Sequence, residues 1–108
     1  MTAGGNPYAG EVALAMDGRR HVLKLTLGAL AELEASMGAD SLVALVERFE
    51  TGRFATRDVA RLLLAGLRGG GWQGCAATVL SADIEGGPAE ATRVAALLLG
   101  RAFAMPRP

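Results

Sequence analysis

Few residues in this chain are of types that carry chemistry, and their number limits what that chemistry could be. The sequence has one histidine, His21, and one cysteine, Cys75. A nucleophilic dyad needs such a pair close together with a third group that orients the base, and nothing in the sequence places these two together. A zinc site would need further ligands at a recognisable spacing. We therefore predict no catalytic residue, no metal site and no enzymatic activity.

Residues 69–74 form a glycine-rich stretch, Gly-Gly-Gly-Trp-Gln-Gly, that matches the Gly-x-Gly-x-x-Gly pattern of dinucleotide-binding loops. Such a loop needs a strand before it and a helix after it, whereas the apolar spacing here predicts a helix before it. We interpret the stretch as a flexible linker between helices and predict no cofactor. Trp72, within it, is either a lid over the core or an exposed anchor for a partner.

Charge and hydropathy favour neither nucleic acid nor a membrane as a specific partner. Eleven basic residues balance eleven acidic ones, and the arginines 53, 57, 61 and 68 are opposed by Glu47, Glu50 and Asp58. The longest apolar run, residues 94–99, is too short to span a bilayer, and the N-terminus does not resemble a secretory signal. We expect a cytoplasmic protein. Its zero net charge opposes self-association only weakly, so the sequence leaves both a monomer and a homo-oligomer open.

The pattern of apolar residues predicts a mainly α fold, with an N-terminal β-hairpin followed by four to five packed helices. With 108 residues the chain is near the usual size of one domain, which we place at residues 10–104. Residues 1–9 are small, polar and contain glycine and proline, so they bury little surface, and residues 105–108, Met-Pro-Arg-Pro, cannot remain helical. We therefore predict a flexible arm and a flexible tail at the two ends.

The hairpin and the first helix follow from local signals. Apolar residues alternate on both sides of Asp-Gly at residues 17–18, which suits a two-residue primed turn and places Leu14 opposite His21. Thr26 is predicted to cap the first helix with its hydroxyl. Gly38 is predicted to end that helix, because glycine tolerates left-handed backbone geometry.

The remaining helices follow from capping residues and apolar spacing. Asp40 or Ser41 is predicted to cap the second helix, and Thr56 the third. Gly66 interrupts the third helix, where it would allow a neighbouring helix to approach closely. Residues 73–82 are predicted to form a short helix. The apolar side chains at helical spacing that we assign to inward faces are Leu30, Leu33, Met37, Leu45, Val59, Leu62, Leu63, Leu67, Val79, Leu80 and Val94.

The last predicted helix, residues 89–104, is apolar nearly all round. Such a helix is either central in the fold or uncovered on one face that awaits a partner. Leu98 is expected to face inward, whereas Leu99 is expected to face outward. The candidate partner-binding residues are therefore Trp72, Leu99 and Phe103.

Several short motifs follow one another along the chain. They are Asn-Pro-x-x-Gly-Glu-Val, Asp-Gly-Arg, Leu-x-Leu-Thr-Leu-Gly-Ala-Leu-Ala-Glu-Leu-Glu, Arg-Asp-Val-Ala-x-Leu-Leu and Gly-Leu-Arg-Gly-Gly-Gly. Together, over roughly residues 6–103, they resemble a small protein family encoded in the tail gene cluster of alphaproteobacterial gene transfer agents and related long-tailed phages.

The resemblance implies a phage-type tail protein, described for this family both as a tail tube protein and as a tail assembly chaperone. Since a tube subunit normally contributes a sizeable β-sheet to a ring, one hairpin with several helices favours the chaperone. We predict an assembly factor that binds the tape-measure protein, the tube protein or both through an apolar helical surface. The alternatives are a structural, tube-associated component located in the particle and a nucleic-acid-binding regulator that uses Arg57 and Arg61.

Overall fold

The computed structural model describes residues 10–103, over which it has two strands and five helices. The strands β1 (Val12–Met16) and β2 (Arg19–Leu23) form an antiparallel hairpin. The helices follow as α1 (Leu27–Met37), α2 (Leu42–Thr51), α3 (Thr56–Gly69), α4 (Ala76–Ser81) and α5 (Gly87–Ala102). The predicted mainly α fold with an N-terminal hairpin is confirmed. The predicted arm and tail lie outside the described residues.

The turn at residues 17–18 sets the register of the hairpin. Both turn residues have positive φ, 52° and 75°, as a two-residue primed turn requires. Leu14 lies opposite His21, and Val12 lies opposite Leu23, so the predicted register is confirmed. One face of the hairpin is therefore apolar and packs into the core.

The chain between α4 and α5 is fixed to the hairpin. Residues 83–85 run along the edge of β1 that faces away from β2. The Glu85 N–H donates to the Ala15 C=O at 3.0 Å. The Asp83 N–H donates to the Asp17 carboxylate of the turn at 2.8 Å. These bonds join the start of α5 to the hairpin.

The predicted caps of the first two helices are confirmed. The Thr26 hydroxyl accepts a hydrogen bond from the Ala29 N–H at 3.0 Å, and the Ser41 hydroxyl accepts one from the Ala44 N–H at 3.1 Å. Each bond satisfies a backbone donor that has no partner within the helix. Gly38 follows α1 with a φ of 63°, a backbone angle that favours glycine.

The predicted cap of the third helix is wrong. Thr56 is the first helical residue of α3, and Ala55 occupies the capping position. Alanine has no side-chain acceptor for the N–H groups of the first turn. The capping hydrogen bond instead runs from the backbone of the capping residue to a side chain of the helix. The Asp58 carboxylate accepts from the Ala55 N–H at 2.8 Å. Asp58 is thus in the first turn as predicted, but it is also buried, with 2% of its surface exposed.

The central helix of the fold is α3, which contacts α1, α4, α5 and β2. The side chains predicted to face inward from this helix are all buried. They are Val59, Leu62, Leu63 and Leu67. This inward face is therefore confirmed.

Two glycines at the end of α3 allow the backbone of β2 to approach closely. A Cβ on Gly69 would lie 1.9 Å from the Lys24 carbonyl oxygen, and a Cβ on Gly70 would lie 1.9 Å from that of Val22. Real side-chain atoms cannot occupy such positions. The interpretation of this stretch as a flexible linker is therefore wrong for these two residues, because they form a tight packing contact.

The last helix, α5, packs its apolar face against α3 and β1 and does not leave that face uncovered. Its buried residues are Ala91, Val94, Ala95, Leu98 and Leu99. Leu99 is 4% exposed, so the prediction that it faces outward is wrong, whereas the inward position of Leu98 is confirmed. A Cβ on Gly66 would lie 2.7 Å from Leu98 Cδ1. The predicted close approach at Gly66 is thus confirmed.

Two other predictions of buried side chains are wrong. Leu30 is only half-buried and lies outside the core cluster, and Leu80 is 70% exposed. Successive helical residues are rotated by about 100°. Only a narrow face of α1 and of α4 is buried, so one of two adjacent side chains stays outside it, whereas α3 and α5 are covered more widely and bury adjacent residues. In α4 the inward position belongs to Val79. In α1 it belongs to Ala29, Leu33 and Met37.

Candidate functional site

His21 and Cys75 do not form a reactive pair. The His21 ring meets the Trp72 ring edge-on, with 6.5 Å between their centroids. Cys75 is exposed, and its sulfur lies 3.6 Å from the Thr78 hydroxyl. That hydrogen bond lowers the pKa of the Cys75 thiol. Over residues 10–103, no group of three or more His, Cys, Asp and Glu side chains is placed to hold a metal ion.

A cluster of three charged side chains joins α2 to its neighbours. The Arg48 guanidinium donates to Asp40 at 2.7 Å and to Asp58 at 3.0 and 3.1 Å. The Arg48 hydrogen bond lowers the pKa of Asp40. Burial acts to raise the pKa of Asp58, but the hydrogen bonds from Arg48 and the Ala55 N–H outweigh it and the pKa is lowered. We assign this cluster to packing, because both carboxylates accept hydrogen bonds from the same guanidinium and thereby join α2 to the segments before and after it.

The three predicted partner-binding residues occupy different environments. Trp72 is half-buried and packs against the core, which agrees with a lid. Leu99 lies in the core and is not available to a partner. Phe103, just after α5, is 44% exposed. For Trp72 and Phe103, partner binding remains a prediction.

An apolar groove lies where α3, α4 and α5 meet. Its cavity volume is about 390 Å³. We call it the α4 groove and define it by Phe54, Val59, Val79, Leu80, Pro88 and Ala91. Asp83 is the charged residue in its lining, and no lysine or arginine is present there. A groove of this composition suits apolar side chains.

Leu80 makes this groove a candidate binding surface. It is 70% exposed, although burying apolar surface stabilises by about 25 cal/mol per Å². Leu80 belongs to the six-residue helix α4, whose buried side chain is Val79. Leu80 was predicted to lie inside, so this surface was missed. The available signal was the adjacent pair Val79 and Leu80, because adjacent helical side chains point about 100° apart and a narrow covered face buries only one of them.

A second, polar groove lies between β1 and α5. Its cavity volume is about 540 Å³. We call it the β1 groove and define it by Ala13, Ala15, Arg20, Arg93, Leu97 and Arg101, with Glu85 and Glu90 also in its lining. No sequence pattern predicts this groove, because it forms between segments at opposite ends of the chain.

Residues 9–105 match the model of a protein family described as phage tail tube protein, GTA-gp10. No curated protein and no solved structure matches the chain. None of the helices over residues 10–103 is long and apolar enough to cross a membrane. The family match spans the hairpin and all five helices, and it confirms the family predicted from the sequence motifs. The chain therefore belongs to the GTA-gp10 family of phage tail tube proteins, and its role is structural or concerns the assembly of a phage-type tail.

Proposed function

We propose that this protein is a non-enzymatic assembly factor, a chaperone that holds an apolar segment of another tail protein while a phage-like tail is built. The observation that supports this is the α4 groove, where Leu80 stands 70% exposed beside an apolar lining. The apolar surface that we propose for binding is thus on α4 and not, as the sequence suggested, on α5.

The composition of the groove favours an amphipathic helix as the bound segment. Such a helix lays its apolar face into a groove and leaves its polar face in water. Phe54 and Leu80 offer apolar contact, and Asp83 favours a basic residue nearby. A tape-measure protein, which is long and helical, would offer many segments of this kind. We therefore propose the tape-measure protein as the first partner and the tube protein as the second.

The second candidate function is a structural component of the tail. The family description, which names a tail tube protein, favours it. Against it, the sheet in residues 10–103 has two strands and one further bridge at Ile84, whereas tube rings are usually built from larger sheets. The third alternative, a regulator using Arg57 and Arg61, gains no support from the family match, and we do not propose it.

The location of the protein during assembly separates these functions. The chain would be tagged in cells that build the tail, and both cell extracts and purified particles would be analysed by quantitative mass spectrometry. An assembly factor is expected in complexes with tail proteins in the extract and is expected to be lost from finished particles. A fixed copy number in finished particles would contradict the chaperone and support the structural component.

A further inference from the structure

The edge of β1 that faces away from β2 is only partly paired. In an antiparallel ladder, alternate residues point their N–H and C=O groups away from the partner strand. Met16 and Arg19 pair with each other across the turn. The backbone N–H and C=O groups of Ala15 and Ala13 therefore point away from β2. Ala15 agrees with this pattern, because its C=O accepts from the Glu85 N–H at 3.0 Å.

The segment that covers this edge ends before it reaches Ala13. Immediately after Glu85 the chain turns at Gly86, with a φ of 89°, and enters α5. Over the described part of the chain, no hydrogen bond from outside the hairpin reaches the Ala13 N–H or C=O. Beyond Ala13, the Arg101 guanidinium donates to the Glu11 C=O. The open stretch of edge is therefore short and bounded on both sides.

The open edge lies in the β1 groove, which has room for another chain. Ala13 and Ala15 line the groove with small side chains, and α5 contributes Leu97 to the lining. The volume of about 540 Å³ is far larger than the roughly 30 Å³ that one water molecule occupies. A short extended segment can therefore lie beside the backbone of β1.

The charges of the groove favour a carboxylate. Its lining contains three arginines and two glutamates. Glu90 is paired with Arg93 at 2.6 Å, whereas neither Arg20 nor Glu85 makes an ion pair with any residue from 10 to 103. The lining as a whole keeps one net positive charge. Arg20 is exposed and lies opposite Ala15 on the neighbouring strand. A guanidinium in this position can donate two parallel hydrogen bonds to a carboxylate.

We propose that the β1 groove binds an extended, acidic segment of a partner protein, which adds to the open edge of β1 as a further strand. Backbone hydrogen bonds to Ala13 supply the affinity in strand addition, and side chains at alternate positions supply the specificity. Arg20 binds a carboxylate of the added segment, and Leu97 contacts an apolar side chain of the same segment. This surface is separate from the α4 groove, so the protein has two binding surfaces of different chemistry.

The test measures binding of a blocked synthetic peptide, Thr-Val-Glu-Val-Thr, to the full chain. Binding is monitored through the amide NMR signals of the protein. The matched peptide carries lysine in place of glutamate. We expect the acidic peptide to shift the Ala13 and Ala15 amide signals, to slow exchange of the Ala13 amide, and to bind about fivefold more tightly than the lysine peptide, as for an exposed ion pair. Arg20→Glu should remove or reverse this preference. Arg19→Glu, an exposed position outside the groove, should keep it.

Other outcomes would overturn the proposal. They are equal binding of both peptides, absence of binding at about 1 mM peptide, or shifts that map elsewhere. Slow exchange of the Ala13 amide in the free protein would also overturn it, because the edge would then already be covered. The Leu80→Glu variant should bind the acidic peptide as the parent does. This outcome separates failure of the β1 groove from failure of the proposed chaperone function.

Discussion

The two helices at the end of the chain, α4 and α5, use apolar residues in opposite ways. α5 has 16 residues and buries Leu98 and Leu99, whereas α4 has six residues and leaves Leu80 exposed. The longer helix has the more continuous apolar sequence, yet the shorter one exposes the large apolar side chain. An apolar stretch therefore does not by itself identify a binding surface, because the neighbouring elements decide what remains exposed.

The packing around each helix explains the difference. α5 lies between α3 and β1, and Gly66 of α3 allows Leu98 to approach closely. α4 packs mainly on α3 and is too short to present a complete apolar face. Its Val79 reaches the core, and Leu80 remains on the rim of the α4 groove. The comparison predicts large stability effects in α5 and small ones at Leu80.

The largest expected effect is at Leu99. Leu99→Ala should lower the free energy of unfolding by about 2–5 kcal/mol, because it leaves a cavity in the core. Denaturant titration followed by circular dichroism would measure this change. A loss below about 0.5 kcal/mol, the usual range for surface positions, would place Leu99 at the surface and remove the contrast between the two helices.

A smaller effect is expected at Gly66, which sets how closely α5 approaches α3. Gly66→Ala introduces a Cβ that would lie 2.7 Å from Leu98 Cδ1 and 3.1 Å from Leu23 Cβ. Overpacking of this kind costs about 1–3 kcal/mol, although the better helix propensity of alanine offsets part of it. Gly28→Ala on the exposed surface of α1 is the control, since its nearest contact is ordinary at 3.9 Å. A variant at Gly66 as stable as the Gly28 control would contradict the close packing.

Acid should loosen the region around α2 before it affects the part of α5 around Leu98 and Leu99. The start of α5 carries its own acid-sensitive group, Glu90, whose pKa is lowered by the hydrogen bond from Arg93. The pKa values of Asp40 and Asp58 lie below the ordinary value of 3.8, so the folded state favours their ionised forms. The contribution of these two carboxylates to the free energy of unfolding is complete above about pH 5. It is lost as the pH falls through the lowered pKa values. Hydrogen exchange from pH 6 to pH 3 should therefore show early loss of protection in α2. Simultaneous loss in α2 and in that part of α5 would contradict this order.

The smallest stability effect is expected at Leu80. Leu80→Ala removes a side chain that is 70% exposed, so the free energy of unfolding should change by no more than about 0.5 kcal/mol. Thermal unfolding of this variant beside Leu99→Ala gives the comparison directly. A loss as large as that of Leu99→Ala would show that Leu80 is packed in solution.

The sequence predicted the elements governed by local chemistry. The Asp-Gly turn fixed the register of the hairpin, and Thr26 and Ser41 capped their helices, because each of these signals acts within a few residues. The inward face of α3 was also predictable, since its apolar residues recur at a regular helical spacing over 14 residues.

Predictions failed where distant segments decide the outcome. Gly69 and Gly70 have no room for a side chain because the β2 backbone lies against them. No local sequence pattern indicates this contact. Leu99 is buried because α5 is covered by other elements. Two other failures have local causes. At the start of α3, the Ala55–Asp58 hydrogen bond replaced the expected threonine cap. The candidate site was not predicted because α4, with six residues, is too short for a reliable periodicity.

Binding of tail proteins by a Leu80→Glu variant tests the central claim most directly. The parent, Leu80→Glu and Val43→Glu would each be co-expressed with the tape-measure and tube proteins of the same gene cluster, and affinities would be measured after purification. Val43 is the matched control, because it is 69% exposed, as Leu80 is 70% exposed, and lies outside the α4 groove. We predict that both variants fold as the parent does, that Leu80→Glu weakens binding about tenfold or more, and that Val43→Glu binds normally. Equal binding by the two variants, or a parent that binds neither tail protein, would contradict the assignment of the α4 groove as the partner site.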